Sequence, residues 1–251
     1  MPRTTAFLNT KKTNGQKPTA INMTTWDSLP IKTAFTQAVT RSGSDLKNPL
    51  GLIKSTDNGK TLEKLVFYGE TDFHYLSAGY DSGQLFVLNE EPNSELQTGL
   101  YSSGDGGESW ESRMMEGVES DGIIALAAHP TDQNLVAISS QAGIFLSEDG
   151  GDTFSPVTEG KPATSVVLTD ETGIYSSIDG ETIKLVRFNL DTLEETEYGL
   201  PSLKADNPIM YIAVNPNDPS EITFVTYKND IYRSVDGGSK WEEIMDSGDP
   251  R

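Results

Sequence analysis

His74 and the acids that accompany it are the residues of this chain best suited to do chemistry. Asp72-Phe73-His74 puts a carboxylate and an imidazole in one short stretch, and an imidazole can carry a proton, ligate a metal or simply hold a hydrogen bond. Glu90, Asp121 and Asp230 add carboxylates, while Gln141 and Asn229 add amides able to orient a polar ligand. Two carboxylates about 5 Å apart suit retaining glycoside hydrolysis, and a wider pair suits the inverting reaction. Several imidazoles converging on one point would bind a metal. With two His and no Cys, disulfides, thiolate sites and a cysteine nucleophile are excluded, and the expectation is a hydrogen-bonded His74 with no metal and no cofactor.

Whether these side chains meet depends on the elements that carry them, and those elements are punctuated by a repeat. Ser234-Val235-Asp236-Gly237-Gly238-Ser239-Lys240-Trp241 recurs as Ser103-Gly104-Asp105-Gly106-Gly107-Glu108-Ser109-Trp110. It recurs again as Ser147-Glu148-Asp149-Gly150-Gly151-Asp152-Thr153-Phe154, and without the aromatic as Ser55-Thr56-Asp57-Asn58-Gly59-Lys60-Thr61-Leu62. Ser177 to Ile183 is a shorter, weaker fifth copy. Each residue type has a reason: the Asp accepts bonds from the turn's own N–H groups, the Gly supplies positive φ, and the Ser hydroxyl adds a local bond. The final ring, Trp110, Phe154 or Trp241, starts the next strand and can fill the gap between neighbouring sheets.

The pattern S-x-D-x-G-x-[ST]-[WF] resembles the Asp-box or BNR repeat of sialidases, sortilin, xyloglucanases and photosystem II assembly factors. Over residues 43–251 the chain looks like a bacterial BNR-repeat family labelled glycosylhydrolase-like, through the stretch from Gly43 to Gly51 and Asp72-Phe73-His74. The resemblance implies an all-β propeller of four-stranded antiparallel blades, six in an intact relative, and extracytoplasmic relatives. In such proteins the repeat joins the two outer strands of a blade on the face away from the active site. It therefore implies structural roles for Ser55, Asp57, Gly59, Ser103, Asp105, Gly107, Trp110, Ser147, Asp149, Gly151, Phe154, Ser234, Asp236, Gly238 and Trp241.

Composition narrows the partners. The chain carries 38 Asp and Glu against 19 Lys and Arg, which disfavours nucleic acid and anionic membranes, and no apolar run approaches a membrane span. A signal-peptide core is not recognisable, and the compartment is not assigned. Residues 1–42 differ from the rest: ten Thr, one Gly and a net charge of +5, against −24 over the remaining 209 residues. One reading is a flexible basic leader with a short helix through Ile31, Ala34, Phe35, Ala38 and Val39. Another comes from the genetic code: shifted by one nucleotide, with permitted third bases, Pro2 to Ser42 reads as propeller-like text ending GFYTSGHPE. Residues 1–42 are thus expected to be an out-of-frame translation of one and a half blades, with a boundary near Gly43.

From Gly43 the strand pattern repeats. Leu50 to Ser55 and Thr61 to Val66 form a half blade, and four complete blades follow, beginning at Phe73, Ile123, Ser165 and Met210, with turns such as His129-Pro130-Thr131-Asp132 between their strands. Blade topology sorts residues by face. The repeat turns lie below, and the loops between blades and between second and third strands lie above, with Asp72, His74, Glu90, Asp121, Gln141, Asn229 and Asp230.

Two functions fit. One is a non-catalytic scaffold offering its upper face to a peptide, protein or glycan. The other, implied by the family label, is a glycoside hydrolase acting on a neutral or cationic glycan. Sialidase chemistry, in the family sense, needs three Arg around the substrate carboxylate. Beyond residue 42 only Arg113, Arg187, Arg233 and Arg251 remain, in outer strands, a repeat turn and the final position.

Overall fold

The computed structural model describes residues 34–36 (backbone), 49–55, 61–119 and 122–251. Among them every regular element is a β-strand, and the strands form five antiparallel sheets. The first holds β1 (Ala34–Thr36), β2 (Ile53–Ser55) and β3 (Glu63–Lys64). The second holds β4 (Tyr75–Ala78), β5 (Leu85–Asn89), β6 (Gly99–Ser103) and β7 (Glu111–Arg113). The third holds β8 (Ile123–Ala128), β9 (Val136–Ser140), β10 (Gly143–Ser147) and β11 (Ser155–Pro156). The fourth holds β12 (Ala163–Leu168), β13 (Thr172–Asp179), β14 (Thr182–Asn189) and β15 (Glu195–Glu197). The fifth holds β16 (Ile209–Asn215), β17 (Asp218–Thr226), β18 (Ile231–Ser234), β19 (Glu242–Asp246) and β20 (Asp249–Pro250).

Strand order follows chain order within every sheet, and the first strands β4, β8, β12 and β16 pack side by side. This is the blade arrangement of a β-propeller, with the first strands innermost. The apolar core lies between sheets. Phe86, Leu88 and Leu100 of the second sheet meet Ile123, Val136 and Ile138 of the third. Ile174 and Leu185 of the fourth meet Ile209, Ile222 and Phe224 of the fifth.

The repeat turns join third and fourth strands, and their aromatic residues reach back to the preceding blade. Trp110 packs on Phe67, Phe154 joins the cluster of Leu100 and Phe86, and Trp241 lies edge-on to Tyr198 while its Nε1 donates to Gly199 O at 2.9 Å. The second Gly of each turn sits against that same neighbour. A Cβ at Gly107 would meet Leu52, at Gly151 Leu100, and at Gly238 Tyr198, all within 3 Å. Both Gly of each pair have positive φ, so the double Gly answers both to backbone conformation and to close blade packing.

Four expectations change. Ala34–Thr36 is a strand paired with Ile53–Ser55, where sequence spacing allows a helix; the rest of residues 1–48 lies outside the described residues. Ser177 to Ile183 is no copy of the repeat: it closes the tight β13–β14 hairpin, with Asp179 opposite Thr182, at the other end of its sheet. The third-to-fourth-strand turn of that blade is instead organised by Asn189, whose Oδ1 accepts from Asp191 N and Thr192 N. The fifth sheet gains β20, a strand the pattern does not signal.

Candidate upper-face site

The same hydrogen-bond scheme recurs in the turns at the lower ends of the sheets. Ser103 Oγ donates to Asp105 Oδ1 (2.7 Å) and accepts from Gly107 N (2.8 Å). Asp105 Oδ1 also accepts from Glu108 N and Ser109 N (both 3.0 Å), and Oδ2 from Ser109 Oγ (2.6 Å). Ser147, Asp149, Gly151 and Thr153 repeat this atom for atom. In the third turn Ser234 and Gly238 keep their places, and Asp236 accepts from Lys240 N (2.9 Å), but Lys240 has no hydroxyl to offer. Bonds from the Ser109 hydroxyl and amide hold the Asp105 carboxyl far below the usual range, and the Thr153 hydroxyl lowers Asp149 to about 2. Asp236 is lowered chiefly by the Lys240 amide. The carboxylates of Asp105 and Asp149 are consumed by their own turns. Asp57 and Gly59 lie outside the described residues.

His129 sits on the same lower face and shapes a turn. Its Nδ1 accepts from Asp132 N at 2.9 Å and its Nε2 faces Asp170 O at 3.3 Å.

The opposite ends of the sheets carry the upper-face candidates. His74 Nδ1 lies 2.7 Å from Glu90 Oε2, and Nε2 lies 3.5 Å from Asp72 Oδ2, so three residues foreseen for this face form one exposed group. Both ring nitrogens are met by acids. Asp230 and Asn229 lie at the upper end of the fifth sheet. Asp230 accepts from Asn207 Nδ2 (2.7 Å) and Ser247 N (2.8 Å), and Asn229 O accepts from Gly248 N (3.1 Å). Beside them Lys228 Nζ pairs with Asp206 at 2.5 Å. Gln141 lies exposed at the upper end of the third sheet, its N donating to Gly122 O; Asp121 lies outside the described residues.

Strand register shows how these positions correspond. In three blades the first strand carries a bulge at its upper end, skipping Ile124, Thr164 and Met210 in pairing. Tyr75 pairs with Leu88 as Ala125 does with Ser139, Ser165 with Ser176 and Tyr211 with Val225. His74 is therefore the counterpart of Ile124, Thr164 and Met210, and Glu90 that of Gln141, Ile178 and Tyr227. The His74–Glu90 pair of the second sheet becomes Met210 and Tyr227 in the fifth. Neighbouring blades are tied at this level, since Tyr75 OH donates to Ile123 O (3.1 Å) and Thr164 Oγ1 to Ile209 O (2.6 Å).

Met210 and Tyr227 are absent from the sequence-derived set, which favours charged and amide residues. Tyr227 is 60 % exposed although it is a large ring, and its correspondence to Glu90 and Gln141 comes from strand register. Asp230, Glu243 and Asp246 also bring carboxylate oxygens within 4.8 Å of one another. The Arg251 guanidinium already pairs with Glu243 and Asp246, which meets much of that charge. The other described Arg residues lie away from the upper face. Arg113 bonds Ser102, Glu111 and Asp152; Arg233 bonds Glu221; Arg187 lies on β14 opposite Thr196.

The sequence matches no protein-family model and no curated protein. Solved structures do match. The GH74 enzyme of Niastella koreensis aligns with a TM-score of 0.57 and 18% identity, over 86% of this chain and 37% of that one. The GH74 xyloglucanase of Xanthomonas campestris gives 0.53 and 20%, over 85% and 36%. A putative TolB from Agrobacterium tumefaciens gives 0.55 and 20%, over 74% and 66%. The chain thus spans just over a third of the length of the GH74 structures it matches. No helix among the described residues is long and apolar enough to cross a membrane. Identities this low speak for architecture alone, and the architecture they share with this chain is the β-propeller.

Proposed function

We propose that this chain is a non-catalytic ligand-binding propeller whose upper face, around Asp72, His74, Glu90, Gln141, Asn229 and Asp230, meets a peptide, protein or glycan. The observation that carries this reading is the contrast between the two ends of the sheets. Below, the carboxylates of Asp105 and Asp149 accept bonds on both oxygens from their own turns. Above, Asp72, His74, Glu90, Gln141 and Asn229 are exposed, with polar atoms open to a ligand, while half-buried Asp230 is held by Asn207 and Ser247. The carboxylates clearly displaced from their ordinary range, Asp105, Asp149, Asp206, Asp236 and Asp246, are all displaced downward. A general acid needs displacement upward. The propeller fold itself serves enzymes and binders alike and does not choose between them.

One observation favours a second reading. Asp72 and Glu90 flank a single imidazole, which places two carboxylates in one exposed group, as a glycoside hydrolase of neutral or cationic glycans would require. Among the described residues no Arg set supports sialidase chemistry: Arg113, Arg233 and Arg251 are held by acids and Arg187 lies on an outer strand.

Incubation with xyloglucan, mixed-linkage glucan and chitosan oligosaccharides, followed by assay of new reducing ends, separates the two. The binding reading expects no release above a Glu90→Gln control. Release that disappears in Glu90→Gln or Asp72→Asn would overturn it in favour of hydrolysis.

A further inference from the structure

We infer that the upper face is two-ended, with a cation-accepting end at His74 and Glu90 and an apolar end at Met210 and Tyr227, and that its ligand is an extended basic peptide segment carrying an aromatic or aliphatic residue. This rests on the upper-face reading above and names the ligand class.

Register makes His74 and Glu90 the counterparts of Met210 and Tyr227, so the fold presents the same two positions in both blades and the sequence fills them with opposite chemistry. At the second sheet, the Glu90 carboxylate is 47 % exposed and the Asp72 carboxylate equally so, leaving oxygens open to an incoming guanidinium or ammonium. At the fifth, Tyr227 leaves 60 % of its surface to solvent, and Met210, at the position corresponding to His74, is half-buried. An unbranched thioether adapts to varied apolar side chains, and an exposed ring offers them a flat apolar face. At the corresponding positions between the two ends stand Ile124 and Gln141 of the third sheet and Thr164 and Ile178 of the fourth, none of them charged.

Charge selects the sign of the partner. The 209 residues from Gly43 carry −24, so a basic segment is drawn to this molecule and an acidic one is repelled. A glycan fits less well. Sugars are held by several aromatic platforms, and among the four pairs of corresponding positions Tyr227 supplies the single Phe, Tyr or Trp ring. A chain segment that puts a cation at one end and an apolar side chain at the other satisfies both ends at once, as neither a metal ion nor a sugar does.

The test uses the full chain and synthetic peptides in a Gly/Ser host, each with one Arg and one Phe separated by two to six residues, read by fluorescence anisotropy. At least one spacing is expected to bind, and to weaken when Arg becomes Gln, when Phe becomes Ser, and as salt rises. Tyr227→Ala and Glu90→Gln are each expected to weaken binding about tenfold, the effect of losing one interface anchor. Asp236→Ala should leave affinity unchanged in the folded fraction. If Arg-only and Arg-plus-Phe peptides bind equally, or Tyr227→Ala has no effect while Glu90→Gln does, the two-ended ligand is wrong and the upper-face reading stands. If binding fails in Asp236→Ala and survives in both upper-face variants, the upper-face reading fails with it. Binding of xyloglucan oligosaccharides at Tyr227 with no peptide binding would replace the peptide by a glycan.

Discussion

Tyr198 fills the space that a side chain at Gly238 would need: a Cβ there would lie 2.3 Å from Cδ1 and 2.6 Å from Cε1 of the ring. The same Tyr198 lies edge-on to Trp241, so one ring in the fourth blade receives both the Gly and the aromatic of the fifth blade's turn. Gly238→Ala therefore meets both a positive φ of 83° and a packed ring, and is expected to cost about 2–4 kcal/mol in urea unfolding. Gly237→Ala has nothing within 4 Å and a φ of 70°, so it should cost only about 1 kcal/mol of backbone strain. Equal losses in the two variants would mean that the blade contact is not tight.

Lys240 is the one departure from the hydroxyl that Ser109 and Thr153 supply to their turn carboxylates. Lys240→Thr should let Asp236 Oδ2 accept the missing bond and raise the melting temperature slightly, since a bond on an exposed turn competes with water. Thermal unfolding checks the sign, and a fall in the Asp236 pKa by NMR titration checks the cause. A lower melting temperature with an unshifted Asp236 would show that the turn cannot use the hydroxyl.

The turn carboxylates also set the acid response. Asp149 has its folded pKa lowered to about 2 from an unperturbed 3.8, chiefly through the Thr153 hydroxyl, and Asp105 and Asp236 are lowered too. A depressed carboxylate contributes stability above its unfolded pKa and loses it as pH falls through the folded one. Melting temperature is therefore expected to hold from pH 7 to about 4 and to drop between about pH 4 and 2. In Asp149→Asn the melting temperature at pH 7 should be lower and its fall across the acid window shallower. An unchanged acid slope would remove Asp149 from that role.

How much of this is legible in the sequence depends on the range of the interactions. The eight-residue turn is readable because its bonds close within itself: Ser103, Asp105, Gly107 and Ser109 lie within seven positions and each type is dictated by a local bond. The strands follow from apolar runs between such turns. The misread Ser177 stretch carries the same Ser, Asp and Gly types, and only pairing shows that it closes β13 on β14 rather than joining third to fourth strand. Asn189 escapes notice because it accepts Asp191 N and Thr192 N in place of an Asp, outside the expected spacing. The Asp72–His74–Glu90 group is half legible. Asp72 and His74 are two positions apart, whereas Glu90 arrives from sixteen residues on, at a distance set by β4 pairing with β5. Tyr227 is invisible to a search for charged groups because its significance comes from register alone.

Hydrogen–deuterium exchange with and without a bound Arg-and-Phe peptide addresses the placement of function on the upper face most directly. Amides around Glu90, Gln141 and Tyr227 are expected to exchange more slowly in the complex, while those of residues 104–109, 148–153 and 235–240 keep their rates. Protection confined to the three lower turns, with the upper loops unchanged, would contradict it.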